Sequence, residues 1–392
     1  MVDYVAQANQ YNDPLGGTDS TVGGQVRTDH YVRKALIDAK RNQYFLPMSG
    51  TTNLPKHMGK KIKKYIYVPM LDDRNTYSEG LDTSGSKTAG NLYGSSKDIG
   101  TIAGKLPVLS ETGGRVNKVG HTRQLREGTI QKYGIFEEFT QESLDFDSDA
   151  DLKMHINREM LNGASEVTED VLQMDLLTQA GTVRYAGTAT QDSEVDDSSV
   201  MAYDDFVKLS IDLDQNRTPR QKTILTGTRL IDTAVVAGTR VLYAGSELIP
   251  TMKQLTDYFN NPAFLPVEKY AAGTTLMNGE VGAIDQFRIV CPPEMQHWAN
   301  AGATSPENTF RGDTNYDIFP MLCVGEGSFT TIGFQSDGEA VRFKIISKNP
   351  GEETADRIDP YGETGFMSCK WYYGFFLERP ERLAVYKVAA KL

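Results

Sequence analysis

Between Asp72 and Ile130 lie ten glycines, thirteen Ser/Thr and only two aromatics, Tyr77 and Tyr93, in 59 residues. So little apolar surface cannot offset the entropy of ordering a backbone, so this stretch builds no core of its own. A connection of that length without secondary structure is uncommon inside a compact domain, and marks either disorder or a long functional excursion. The flanks favour the excursion. Lys61 to Met70 (KIKKYIYVPM) enters it as one strand-like run, and Thr129 to Phe139 (TIQKYGIFEEF) leaves it as another. The pattern describes a long two-stranded loop thrown out from a folded body.

The body announces itself next. Leu152, Ile156, Met160, Ala164, Val167, Val171, Met174 and Thr178 follow one another at steps of three and four, predicting a helix that runs to about Gly181 with this stripe buried. Ser148 or Asp149 would cap it, and Asp149 and Asp151 suit the positive end of its dipole. At 1.5 Å per residue it would be about 45 to 50 Å long and need an extended surface to lie against.

Residues 1–27 are polar and glycine-rich and read as a terminal arm. Asp29 to Tyr44 has helical spacing, and Pro47 and Pro55 bracket an extended connector. Beyond Thr182 the spacing predicts helices over Tyr203–Asn216 and Gly227–Ala237, and strands over Lys222–Thr226 and Gln286–Val290. Phe366–Leu377 and Arg382–Val388, joined by Glu378-Arg379-Pro380-Glu381, predict a terminal hairpin. These pieces make a mixed α+β body, and 39% hydrophobic content can supply its core.

Several functions are disfavoured. Met1 to Gln10 lacks a basic segment followed by an apolar one, and no long apolar run appears, so secretion and membrane spanning are not expected. Three scattered cysteines, Cys291, Cys323 and Cys369, suggest neither disulfides nor a thiolate zinc site, and suit synthesis in a reducing cytoplasm. Forty-one basic against 52 acidic side chains give a net charge of -11, which opposes a tight grip on phosphate backbones. The charge is uneven: His30 to Val68 carries nine Lys/Arg and one acid, whereas Glu137 to Asp175 carries twelve acids and two bases. These opposite segments are either two solvated faces or complementary surfaces in an assembly.

Catalytic patterns do not emerge. The histidines His30, His57, His121, His155 and His297 lack metal-ligand spacing. Gly100 to Leu106 is one residue short of a phosphate loop and has Leu106 where a hydroxyl is needed. Asp82-Thr83-Ser84-Gly85 has no second copy to complete an aspartic dyad. We therefore expect no catalytic, cofactor-binding or metal-binding residues.

The order of the pieces, namely arm, short helix, two-stranded excursion, long helix, mixed body and late aromatic strands, resembles the Johnson fold of tailed-phage capsid proteins. More narrowly, Asn53 to Tyr65 (NLPKHMGKKIKKY), Gly325 to Gln335 (GEGSFTTIGFQ) and Asp359 to Gly374 (DPYGETGFMSCKWYYG) are similar to motifs of major capsid proteins from schitovirid, Enquatrovirus-like podophages. The resemblance implies an N-terminal arm over 1–55, an extended two-stranded loop over 56–139, and the spine helix with the first part of a peripheral domain over 140–199. An axial domain over 200–348 and C-terminal strands of the peripheral domain over 349–392 complete it. It also implies hexamers and pentamers tiling an icosahedral head in the virion around double-stranded DNA, enclosed without specific binding. A separate scaffolding protein, a portal and an optional decoration protein would be the partners. Some capsids of this fold join subunits through a Lys–Asn isopeptide bond, for which Lys87 or Lys97 and Asn349 are available here. Two other readings stay open at this point: an encapsulin-like nanocompartment shell, and a hydrolase with a glycine-rich lid.

Overall fold

The computed structural model describes residues 44–55, 57, 59–67, 111, 123–146, 152–226, 232–270, 276–304, 306–307, 309–336, 339–340, 343–352, 355, 357 and 359–391. After a single turn at Leu46–Met48 come strands β1 (Gly50–Leu54), β2 (Lys61–Tyr67) and β3 (Arg123–Thr140), then helices α1 (Gln141–Phe146) and α2 (Leu152–Thr178). β4 (Thr182–Tyr185), α3 (Tyr203–Gln215), β5 (Gln221–Thr226), β6 (Asp232–Ala244) and α4 (Ile249–Gln254) follow. The remainder is all strand and turn: β7 (Phe264–Pro266), β8 (Glu280–Ile284), β9 (Phe287–Val290), β10 (Ile318–Val324), β11 (Phe329–Ser336), β12 (Glu339–Ala340), β13 (Phe343–Lys348), β14 (Thr364–Leu377) and β15 (Leu383–Ala389). The described residues divide into two units, one within 138–159 and 348–366, the other within 44–137, 160–347 and 367–391.

The larger unit holds two mixed sheets. The first runs β1-β11-β14-β3-β2, with β12 beside β11 and β13 beside β14. Its long strand β14 alternates: Met367, Cys369, Trp371 and Tyr373 are buried, while Ser368, Lys370 and Tyr372 are less so, the period of two expected of a sheet with unlike faces. The buried row faces α2, because the Tyr373 hydroxyl donates to Asp175 of that helix across 3.5 Å. Tyr133 of β3 stacks on Trp371 in the same layer, ring centres 5.9 Å apart. A Cβ at Gly163 of α2 would lie 3.9 Å from Ile135, so the helix approaches β3 closely there.

The second sheet runs β4-β15-β10-β6-β9-β8-β7, with β5 on β6. Here alternation vanishes: every residue of β9, β10 and β15 is buried. Such continuously buried runs need cover on both faces. One cover is α3, whose Phe206, Leu209 and Leu213 recur at helical spacing and pack with Leu242, Ile289, Met321 and Tyr386. A separate cluster of Val195, Phe310, Tyr316, Ile318 and Ala389 gathers partly buried Trp298 and Tyr185 around it. There Lys387 is buried, paired with Asp192 at 2.6 Å and lying 4.2 Å above the Trp298 ring.

The smaller unit is knitted by main-chain bonds. Gln141 donates to the Glu363 carbonyl at 2.8 Å and Gly351 to that of Gly362 at 2.7 Å. Asp359 Oδ2 accepts from both the amide and the hydroxyl of Thr364, which draws its carboxyl below the ordinary range.

Three expectations need correction. First, β14 and β15 do not form a terminal hairpin: β14 belongs to the first sheet and β15 to the second. Their linker is tied to other loops instead, the amides of Glu378 and Arg379 both donating to the Ser328 carbonyl at 2.9 Å and Gly181 donating to Pro380. Second, the helix expected over Gly227–Ala237 is strand from Asp232 onward, paired with β5, β9 and β10. The β-branched Thr233, Val235 and Val236 suit that state, and sheet pairing overrides a local helical spacing. Third, the buried face of α2 is Met160, Ala164, Thr168, Glu169, Leu172, Gln173, Leu176 and Leu177, not the predicted stripe beyond Ala164. Val167 and Met174 point outward, 38% and 52% exposed. All but the last residue of the expected helix over Asp29–Tyr44, the capping residues Ser148 and Asp149, and most of the glycine-rich excursion lie outside the described residues.

Candidate assembly surfaces

At the root of the excursion, β2 and β3 pair antiparallel from Lys61 opposite Thr129 to Tyr67 opposite Arg123. The two predicted strands therefore meet, and β3 begins six residues earlier than its apolar pattern suggested. Ile62, Ile130, Ile332, Phe376, Leu54 and Tyr372 pack into a small cluster that fixes this root to the first sheet. Gly128 is required there, since a Cβ would fall 2.7 Å from the Phe376 ring and 3.1 Å from the Phe375 carbonyl. Lys64 spans the same ring at 4.9 Å and pairs with Glu378 at 2.7 Å.

Along the other face of the pair, charge gives way to aromatic surface. Lys63 and Glu127 bond at 2.7 Å, each shifting the other's protonation equilibrium towards the charged form: the lysine upward, the carboxyl downward. Both groups are solvated, so this pair fixes register more than it stabilises. Towards Tyr67 the surface becomes exposed Tyr65, Tyr67 and Leu125, with Arg123 lying 4.7 Å over the Tyr65 ring. Aromatic surface of this kind is what interfaces bury.

The residue that ties the start of the larger unit to α2 was not singled out from sequence. Glu169, 9% exposed, accepts from the amides of Tyr44 and Phe45 at 2.7 Å each and of Leu46 at 3.2 Å. Three amides converging on one carboxylate make up for the water it loses on burial. The Phe45 ring then sits 4.8 Å from Tyr243. A signal was available, since Glu169 falls on the same helical face as Leu172 and Leu176. Within the chain, among the described residues, main-chain amides of the basic segment meet Glu169, while the lysines of β2 meet Glu127 and Glu378.

Among the described residues no group of three or more His, Cys, Asp or Glu side chains is placed to hold a metal ion. His297 stacks on Phe319 with ring centres 4.8 Å apart. Burial pushes the Cys323 thiol up to about 12 and the Cys291 thiol up to about 11, away from the nucleophilic thiolate. Asn349, the possible isopeptide partner, accepts from Lys153 at 2.9 Å, and Lys87 and Lys97 lie outside the described residues, as do Asp82–Gly85 and Gly100–Leu106. No described helix is long and apolar enough to cross a membrane.

A family model described as phage capsid protein matches residues 125–388, which runs from within β3 to within β15. The chain belongs to the phage capsid protein family. The major capsid protein of Pseudomonas phage KPP21 is 57% identical over 387 residues, covering 98% of each chain. Among solved structures, the capsid of Ralstonia phage GP4 superposes with a TM-score of 0.57 at 11% identity, covering 99% of both chains. That of cyanophage P-SCSP1u gives 0.57 at 11% identity over 95% of both. At such identities the structural matches speak for the fold, a Johnson-type α+β capsid fold, and the sequence relative speaks for the role. This capsid protein is a structural subunit of a tailed-phage head shell, located in the virion. Neither the nanocompartment nor the hydrolase reading gains from these comparisons.

Proposed function

We propose that the chain tiles an icosahedral head as hexamers and pentamers, with the excursion rooted at β2 and β3 laid over a neighbouring copy. The observation that carries this is the contrast at the root: a firmly packed base, then exposed Tyr65, Tyr67 and Leu125 leading into a segment too poor in apolar residues to bury itself. Resting that segment on an adjacent subunit gives it the apolar contacts its own composition withholds, and many repeats of a weak contact make a stable shell.

On this reading residues 1–55 are an arm, 56–139 the extended loop, 140–199 the spine helix with the start of a peripheral domain, 200–348 an axial domain and 349–392 the closing peripheral strands. A separate scaffolding protein guides assembly, a portal admits the DNA, and a decoration protein is optional. The acidic balance lets the enclosed duplex stay mobile. The three family-like strings support a source among schitovirid, Enquatrovirus-like phages. Deleting Gly80 to Gly120 tests the central claim. The variant should remain soluble and folded by circular dichroism, yet give no closed shells by size exclusion and negative-stain microscopy, and intact shells would refute the role given to the loop.

A further inference from the structure

We infer that a lysine-bearing face of the first sheet receives the acidic segment 137–159 of a second copy, a contact that rests on the shell reading above. Tyr133, Trp371 and Phe343 pack together, and Tyr373 reaches α2, so the odd-numbered positions of β3, β13 and β14 face that helix. The even-numbered positions then form the opposite face. A Cβ built at Gly134 would lie 3.9 Å from that of Lys370, which places those two strands in register on it. Lys132 and Lys344 are exposed there and Lys370 half-buried, with Phe136, Ile346 and Tyr372 between them. The one acid at an even position of these three strands is Glu138, exposed near the end of β3.

A face bearing three lysines against one acid, in a chain of net charge -11, calls for an anionic partner. The net charge of -11 opposes a tight grip on duplex phosphates, so the partner is an acidic protein surface. The chain itself carries a segment of that chemistry. Glu142 and Asp145 of α1 and Glu159 of α2 are exposed, and Met154 lies among them in sequence, 59% exposed. A shell subunit meets other copies in different orientations, so a cationic patch and an acidic patch on one chain satisfy each other head to tail.

The test uses the full-length chain in three variants: Lys132→Glu/Lys344→Glu/Lys370→Glu, Glu142→Lys/Asp145→Lys/Glu159→Lys, and the combination of all six. Sedimentation velocity and negative-stain microscopy over a concentration series read the concentration at which half the protein is assembled. Each triple should raise it about tenfold or more, and the combination should return to within about threefold of the unaltered chain. Mixing the two triples, each folded by circular dichroism, should also give particles, since each supplies the patch the other lacks. Normal assembly of the lysine triple overturns the contact. Failure of both the combination and the mixture overturns the second copy as occupant, and normal shells with weakened duplex binding would assign the face to DNA. Failure of the unaltered chain to assemble at all would count against the shell reading itself, not this contact.

Discussion

Replacing Glu169 by alanine strips the acceptor from three amides at once. Two of its bonds are short and charge-assisted at 2.7 Å and the third is longer at 3.2 Å. Phe45 is buried, so its amide has no water to turn to, at a cost of roughly 1 to 3 kcal/mol. Tyr44 and Leu46 are only partly buried and rehydrate, losing about 0.5 to 1 kcal/mol each. Relief of the desolvated carboxylate offsets part of this, leaving a destabilisation of about 2 to 3 kcal/mol. Glutamine keeps one carbonyl acceptor, so Glu169→Gln should cost about half as much. Urea denaturation of unassembled protein reads the stability, and hydrogen exchange reads the amides of Tyr44 to Leu46, which should lose protection in the order glutamine, then alanine. Equal midpoints for both variants and the parent, with unchanged exchange at Phe45, would refute the claim that this carboxylate holds the segment to the helix.

Two further outcomes follow from the packing. Gly181→Ala places a Cβ 2.4 Å from the Pro380 carbonyl oxygen, main chain against main chain, and should cost about 2 to 3 kcal/mol in the urea midpoint, while an alanine at exposed Gly59 serves only as a comparison for positive φ. Asp175 has its pKa raised above 3.8, first by burial, with bonds from Tyr373 and Gln179 opposing. A carboxyl raised in the fold binds its proton more tightly there than in the unfolded chain. Its contribution is therefore full below pH 3.8 and is lost as pH rises through the higher folded value. Asp175→Asn should remove that decline, so the difference between variant and parent midpoints should move in the variant's favour as pH rises through the window, and a constant difference would contradict it.

The local patterns that proved readable were those in which one period governs both chemistry and burial. Phe206, Leu209 and Leu213 repeat at helical spacing because one face of α3 meets the sheet, and KIKKYIY alternates because one face of β2 meets the root cluster. The long helix was legible in extent but not in facing. Its buried side contains Thr168, Glu169 and Gln173, polar residues satisfied by carbonyls, amides and a methionine sulfur, so an apolar count drifts off the true face onto Val167 and Met174. The false terminal hairpin has another cause. Two β-prone runs four residues apart look alike whether the chain turns back or passes to another sheet, and bonds from Ser328 and Gly181, far away in sequence, decide it. The assembly surfaces were visible as composition, in the glycine-rich stretch and the charge runs. Which lysines share a face depended on the pairing of β3, β13 and β14, which no local pattern encodes.

The position of β15 has a bearing on how the protein is made. It lies between β4 and β10, parallel to the first and antiparallel to the second, and is translated after every other strand of its sheet. Until it emerges, the wall formed by β10 and the strands beyond it stays open along one side, and a partner some two hundred residues upstream must wait, a separation that slows folding. A nascent chain still short of β15 therefore has an unfinished body and nothing complete to offer its neighbours.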